Sequence, residues 1–194
     1  MRRIGLFGGT FDPPHAGHLA IAEWAREQLR LDRVLFVPAG TPPHKRGRRM
    51  SSAAARVAMT RLAVRGNPAF STSTIEARRP GPSFTVDTLR SLRRSFPDAR
   101  FFLIMGEDSL DDFGTWHEPG AIAALATLAV ARRPGPRRSR RRAARGVVWL
   151  GNPGLDLSSS ALRARARAGR SLRYLVPAAV AAYIARRRLY RGRA

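Results

Sequence analysis

The chain has no cysteine. That absence excludes disulfides, thiolate nucleophiles and cysteine-held metals. Acidic residues are scarce: 13 Asp and Glu stand against 36 Lys and Arg, a net charge of +23. Lys45 is the single lysine, so the basic charge is almost all arginine. Long apolar runs are missing as well. The longest, Ala121–Ala131, is too short and too alanine-rich to span a bilayer. The first residues hold two arginines and then few positions before a glycine pair, which does not read as a secretory signal. The expectation is a soluble, cytoplasmic protein with no membrane partner. The arginines are spread along the chain beside abundant alanine, which reads as coding bias rather than a nucleic-acid surface. There is no zinc finger, no RNA-recognition aromatic pattern and no recognition helix. No specific nucleic acid is therefore expected, and the dense run Arg137–Arg145 reads as a solvated basic loop. With 194 residues, the chain is expected to form one domain over 1–194, its C-terminal helical part beginning at about 157.

What is present is concentrated near the start. The apolar run Ile4–Phe7 ends at Gly8 and Gly9, as a buried parallel strand would. The segment continues Thr10, Phe11, Asp12, Pro13, Pro14, His15, Ala16, Gly17, His18. Gly8 and Gly9 let the backbone pass close to a ligand, and Asp12 with Pro13 supplies turn chemistry. From Ala16 the apolar spacing is helical. The first turn of such a helix offers unpaired N–H groups and the positive end of the macrodipole, which together attract anions. His15 and His18 are three apart, share one face and can donate to phosphate oxygens. Two histidines could also ligate a metal, or simply cap and pack. No cysteine or nearby acidic triad completes a metal site, so no protein-held metal is expected. The pattern is neither a Walker A loop nor a Gly-x-Gly-x-x-Gly fingerprint.

Along the chain, strands and helices alternate. Strands are expected at Ile4–Phe7, Val34–Val37, Phe70–Ile75, Phe101–Met105, Thr127–Ala131 and Val147–Leu150. Helices are expected at Ala16–Leu29, Ser52–Val64, Phe84–Phe96, Gly120–Ala126, Ser159–Ala168 and Pro177–Arg188. A Pro/Gly/Arg-rich loop fills Ala39–Met50. Trp24 and Trp149 are expected in the core. The class is α/β: a Rossmann-like, doubly wound parallel sheet with helices on both faces and a small C-terminal helical segment. Ligands of such sheets sit beyond the strand carboxyl ends, where Gly9 and Gly106 both fall.

Gly9-Thr10-Phe11-Asp12-Pro13 with His15-Ala16-Gly17-His18 resembles the signature of the nucleotidylyltransferase superfamily. Leu157-Ser158-Ser159-Ser160-Ala161-Leu162-Arg163 resembles that superfamily's second motif, with Ser160 in place of the usual threonine. Thr41-Pro42-Pro43-His44-Lys45, Pro82–Leu89, Gly106–Leu110 with Trp116, Arg132–Gly135 and Tyr174–Pro177 narrow the resemblance to the bacterial nicotinate-nucleotide adenylyltransferase family. It extends over essentially the whole chain and is weakest at Pro136–Gly146.

The resemblance implies that ATP and nicotinate mononucleotide are joined to a dinucleotide with release of pyrophosphate, and that Mg²⁺ enters mainly through the ATP phosphates. His15 and His18 would be catalytic, with His18 on the α-phosphoryl group. Gly8, Gly9, Thr10, Phe11 and Gly17 would pass close to the nucleotides, with Thr10 also facing the mononucleotide. Ser158, Ser159 and Arg163 would hold the outer phosphates, Gly106 and Asp108 the adenosine ribose, and Arg133 a phosphate or the adenine. On the acceptor side, Trp116 would stack on the pyridine ring, Thr85 would meet its carboxylate, and His44 with Lys45 its phosphate. Competing readings are a nicotinamide-form or dual-substrate enzyme, a pantetheine-phosphate adenylyltransferase, and a basic nucleic-acid-binding protein without catalysis. The residues leave the oligomeric state open, a homo-oligomer included.

Overall fold

The computed structural model describes residues 1–42, 50–132 and 146–191. Six strands form one parallel sheet: β1 (Arg3–Gly9), β2 (Arg33–Pro38), β3 (Phe70–Thr72), β4 (Arg100–Gly106), β5 (Ala126–Ala131) and β6 (Val147–Trp149). Their order across the sheet is β3-β2-β1-β4-β5-β6. The chain winds outward from β1 to one edge, then returns to the middle and winds to the other. The reversal falls between β1 and β4, where Leu6 pairs with Leu103 and Phe7 with Ile104. Loops leaving the carboxyl ends of those two strands diverge to opposite faces and open a crevice there.

The helices are α1 (Ala16–Gln28), α2 (Ala53–Val64), α3 (Ile75–Arg78), α4 (Thr85–Ser95), α5 (Glu107–Asp111), α6 (Pro119–Leu125), α7 (Ser159–Arg167) and α8 (Ala178–Arg186). The inner strands β1, β2, β4 and β5 read as largely apolar runs because both sheet faces are covered there. Ile4, Leu6, Phe101, Leu103 and Met105 pack on one face with Val86, Leu89 and Leu92 of α4 and Ile122 of α6. Phe7, Phe36, Phe102 and Ile104 pack on the other with Ala22 and Ala25 of α1. In α4 the apolar positions recur at helical spacing, so one stripe is buried and the arginines Arg90, Arg93 and Arg94 lie on the rest. A third cluster, Met59, Ala63, Leu162, Val180 and Ile184, ties α2, α7 and α8 together beside the sheet.

Three expectations need correction. The third strand ends at Thr72, and Ile75 instead opens the single-turn helix α3. Trp24 is 41% exposed on α1 rather than in the core. Trp149 is only partly buried, at the sheet edge, with the Arg132 guanidinium 5.4 Å from its ring centroid. Helix α5 and the 3-10 turn Phe113–Thr115 were not foreseen; pieces this short carry no periodicity to read. The basic run Arg137–Arg145 and most of the Ala39–Met50 loop lie outside the described residues.

Candidate active site

A cavity of about 520 Å³ lies at the carboxyl ends of β1 and β4. One wall is the turn between β1 and α1. His15 caps α1 in extended backbone, and its N–H donates to Nδ1 of His18 at 3.2 Å. A nitrogen that accepts cannot carry the proton, so the neutral His18 ring bears its hydrogen on Nε2. The two imidazoles stack, with centroids 3.7 Å apart and planes at 30°. Gly17 allows this: a Cβ there would stand 3.1 Å from Nδ1 of His15. Phe11 sits at φ +50°, is buried, and meets His18 edge-on at 5.1 Å. A bulky residue in the left-handed region stays there only when its surroundings hold it.

The first turn of α1 is less open than its sequence suggests. Ala16 N–H donates to Leu175 O, and the His18 and Leu19 amides reach His15 O. The Gly17 N–H is the first-turn amide left without an acceptor among the described residues.

The second motif folds back onto this turn. Ser158 caps α7 by accepting from Ala161 N at 3.2 Å. Ser159 Oγ donates to Pro13 O at 2.8 Å. Arg163 donates to Asp12 O at 2.8 Å and to Ser160 Oγ at 3.1 Å. So the Ser159 hydroxyl and part of the Arg163 guanidinium are spent as donors inside the protein.

Gly8, Gly9, Thr10, Phe11, His15, Gly17, His18, Ser158, Ser159 and Arg163 all line the cavity. Gly106 and Asp108, at the end of β4 and the start of α5, line it as well, as do Thr85 and Trp116 across from them. Glu107 opens α5 beside them, where a carboxylate suits the positive helix end. Thr85 is the first residue of α4, after Phe84 in the cap position. Trp116 follows the 3-10 turn, half-buried against Phe113. Phe84 and His117 stack beside it at 4.4 Å. His44, Lys45 and Arg133 lie outside the described residues.

The Cytidylyltransferase-like family model matches residues 6–165, which includes both motifs. The chain belongs to this family. Relatives over nearly the full length define it further. A protein of Thermomicrobium roseum is 52% identical over 198 residues, covering 98% of this chain and 92% of its own. One of Thermus thermophilus is 50% identical over 189 residues, covering 97% and 100%. Both are named probable nicotinate-nucleotide adenylyltransferase. Among solved structures, the Plasmodium falciparum nicotinic acid mononucleotide adenylyltransferase complexed with NaAD shares the fold. It has a TM-score of 0.84 and 16% identity, and the match covers 98% of each chain.

In this member of the family, the structure adds residues that the sequence did not mark. Arg56, on α2, is 1% exposed. Its guanidinium donates to the carbonyls of Thr10 (3.1 Å), Ala39 (2.5 Å) and Gly40 (2.9 Å), and its Nε to Ser51 O (3.1 Å). Burial lowers its pKa from the usual arginine value, and the Asp12 carboxylate opposes that shift. Asn152, also buried, exchanges bonds with Arg132 N and O at the end of β5.

Glu76 is the other missed group. It is buried in the cavity wall, and Thr88 Oγ1 donates to it at 2.8 Å. Ser83 Oγ accepts from the Gly40 and Thr41 amides, joining the end of β2 to the turn before α4. Burial raises the Glu76 carboxyl above its ordinary range, with Thr88, Arg79 and Ser83 opposing. The folded protein thus holds this proton more tightly than the unfolded chain. The resulting stability is full below the ordinary carboxylate pKa and is lost as pH rises through the folded-state value. Relative to wild type, Glu76→Gln should gain stability between about pH 4 and about pH 7. Denaturant titrations at both ends check this; an unchanged difference would contradict it.

Proposed function

We propose that the cavity transfers the adenylyl group of ATP to nicotinate mononucleotide, giving nicotinate adenine dinucleotide and pyrophosphate in NAD biosynthesis. The observation that carries the reading is the convergence of two motifs far apart in sequence. Ser159 and Arg163 are bonded to Pro13 and Asp12, so α7 and the β1–α1 turn form one anion-facing wall. The names of relatives at about half identity point the same way.

The attacking phosphate monoester has a second pKa near 6 and is mostly a dianion at neutral pH. It needs no general base. Its oxygen forms a bond to the α-phosphorus, and the bond to the bridging oxygen of the β-phosphate breaks. Pyrophosphate leaves with that electron pair. The chain's work is positioning and charge neutralisation. His18, through Nε2–H, and His15 meet the α-phosphoryl oxygens as charge develops. Gly9, Thr10 and the Gly17 amide approach the nucleotide phosphates, while the Ser158 hydroxyl, the Ser159 backbone amide and the uncommitted part of the Arg163 fork hold the outer ones. ATP arrives as its Mg²⁺ complex, with the ion held mainly by phosphate oxygens and water. Among the described residues no cluster of three His, Asp or Glu side chains is built to hold a metal. Gly106 and Asp108 take the adenosine ribose. Trp116 gives the pyridine ring a flat face, and its carboxylate meets Thr85 at the positive end of α4. His44, Lys45 and Arg133 keep the roles that the resemblance assigns them. We propose the cytoplasm as the compartment of the reaction. Among the described residues no helix is long and apolar enough to cross a membrane.

The test is pyrophosphate release from ATP, Mg²⁺ and either nicotinate or nicotinamide mononucleotide. Turnover is expected with the acid and much less with the amide; none with either would end the assignment. Trp116→Ala should raise the KM for the acceptor about tenfold or more, as loss of one ring–aromatic stack does. The KM for ATP should stay near wild type. If the ATP constant moves instead, Trp116 belongs to the other subsite.

A further inference from the structure

Asp12 stands in the middle of the β1–α1 turn and is 1% exposed. Both of its carboxylate oxygens are engaged. Oδ2 accepts from Ser51 N at 3.1 Å, and Oδ1 accepts from the Tyr190 hydroxyl at 2.5 Å. Its carbonyl takes Arg163. Thus the segment before α2, helix α7 and the segment after α8 all meet at one residue next to Phe11, the first and last at its side chain and α7 at its backbone carbonyl.

Tyr190 lies beyond the end of α8, at φ +64°. The tail is already docked by its apolar groups: Ile184, Leu189 and the Tyr190 ring pack with Met59 and Ala63. The hydroxyl lies 3.7 Å from Met59 Sδ, a weak acceptor. Its stronger contact is the directional, partly buried bond to Asp12. Burial and the neighbouring carboxylate both keep the phenol protonated, so it remains a donor.

We infer that Tyr190 is a positioning residue for the reaction proposed above: its hydroxyl fixes Asp12, and through Asp12 the turn that aims Thr10, His15 and His18. The chain of contacts is short. Asp12 follows Phe11, whose left-handed backbone must be held from outside. Phe11 in turn packs edge-on against the His18 ring. A small displacement of the turn would therefore reach the imidazole directly. Misplacement of about 1 Å can cost on the order of a hundredfold in rate.

Tyr190→Phe in the full chain removes only the oxygen. The expected result is a kcat lower by about tenfold to a hundredfold, with the acceptor KM changed less than about twofold, since Trp116 and Thr85 are untouched. Amide exchange over residues 9–18 should speed up, while that of β5 and β6 does not. Leu189→Ala, which loosens the same tail without touching Asp12, should lower the melting temperature and keep kcat. Asp12→Ala removes the acceptor from the other side and should reproduce the kcat loss, which covers the case in which Tyr190→Phe does not fold. A wild-type kcat in either Tyr190→Phe or Asp12→Ala overturns the inference. So does a loss that Leu189→Ala matches. If wild type itself shows no turnover, the proposed function fails while the exchange measurement still decides: faster exchange over 9–18 in Tyr190→Phe supports the coupling, and unchanged exchange refutes it.

Discussion

Replacing His18 with alanine is expected to lower the rate of pyrophosphate release by about 10²–10³-fold, the usual cost of losing one donor to a developing oxyanion. The ring has two jobs that the structure separates. Nδ1 accepts the His15 N–H and so closes the start of α1. Nε2 carries the proton that can face a phosphate. Alanine removes both functions and should also cost about 0.5–2 kcal/mol of stability, as a lost cap does. His18→Glu tells them apart. Glutamate at the third helical position can accept the capping N–H as part of a capping box. Its ionised carboxylate has no donor to place where Nε2 stands. Stability should return with glutamate, and rate should not. Paired kinetics and denaturant melts measure both. If rate recovers together with stability, the imidazole acts only as a cap, and its place in the mechanism is lost.

The largest effect on stability is expected at Arg56. Its guanidinium is nearly inaccessible and serves four carbonyls, of Thr10, Ala39, Gly40 and Ser51. Arg56→Met keeps the length and the apolar stem but leaves those acceptors without their donor. It also strips Asp12 of the nearby positive charge. Breaking a buried charged arrangement from one side costs about 3–5 kcal/mol. That is a large share of the roughly 5–15 kcal/mol that holds a domain folded. Arg56→Lys should recover little, because a point charge with one nitrogen cannot span carbonyls on three separate segments. Denaturation midpoints decide the matter. A loss below about 1 kcal/mol in the methionine variant would mean that water or relaxation replaces the guanidinium.

Some of this was legible in the chain and some was not. Strands β1, β2, β4 and β6 follow from apolar runs closed by glycine or proline, a local property. The β1–α1 turn and the Ser158–Arg163 segment were marked by residue type and order. The four-residue helix α3 was not, because its stability comes from neighbours: Glu76 is buried and bonded to Thr88 of α4. Arg56 carries no mark in the sequence, since nothing local separates a buried arginine from a solvated one. Trp24 was misjudged for the converse reason. Its place in an apolar spacing suggests burial, yet α1 turns Ala22 and Ala25 inward and leaves the indole 41% exposed.

By itself the sequence determined the α/β alternation and the family to which the two motifs belong. These depend on backbone conformational preference and on contacts within a few residues. Only the tertiary structure decided that Leu175 covers the first amide of α1, that Arg56 holds the ends of β1 and β2, and that Tyr190 reaches Asp12. Those partners are brought together by burial of the three apolar clusters. A hydrogen bond between groups far apart in the chain leaves no periodic trace in the order of residues.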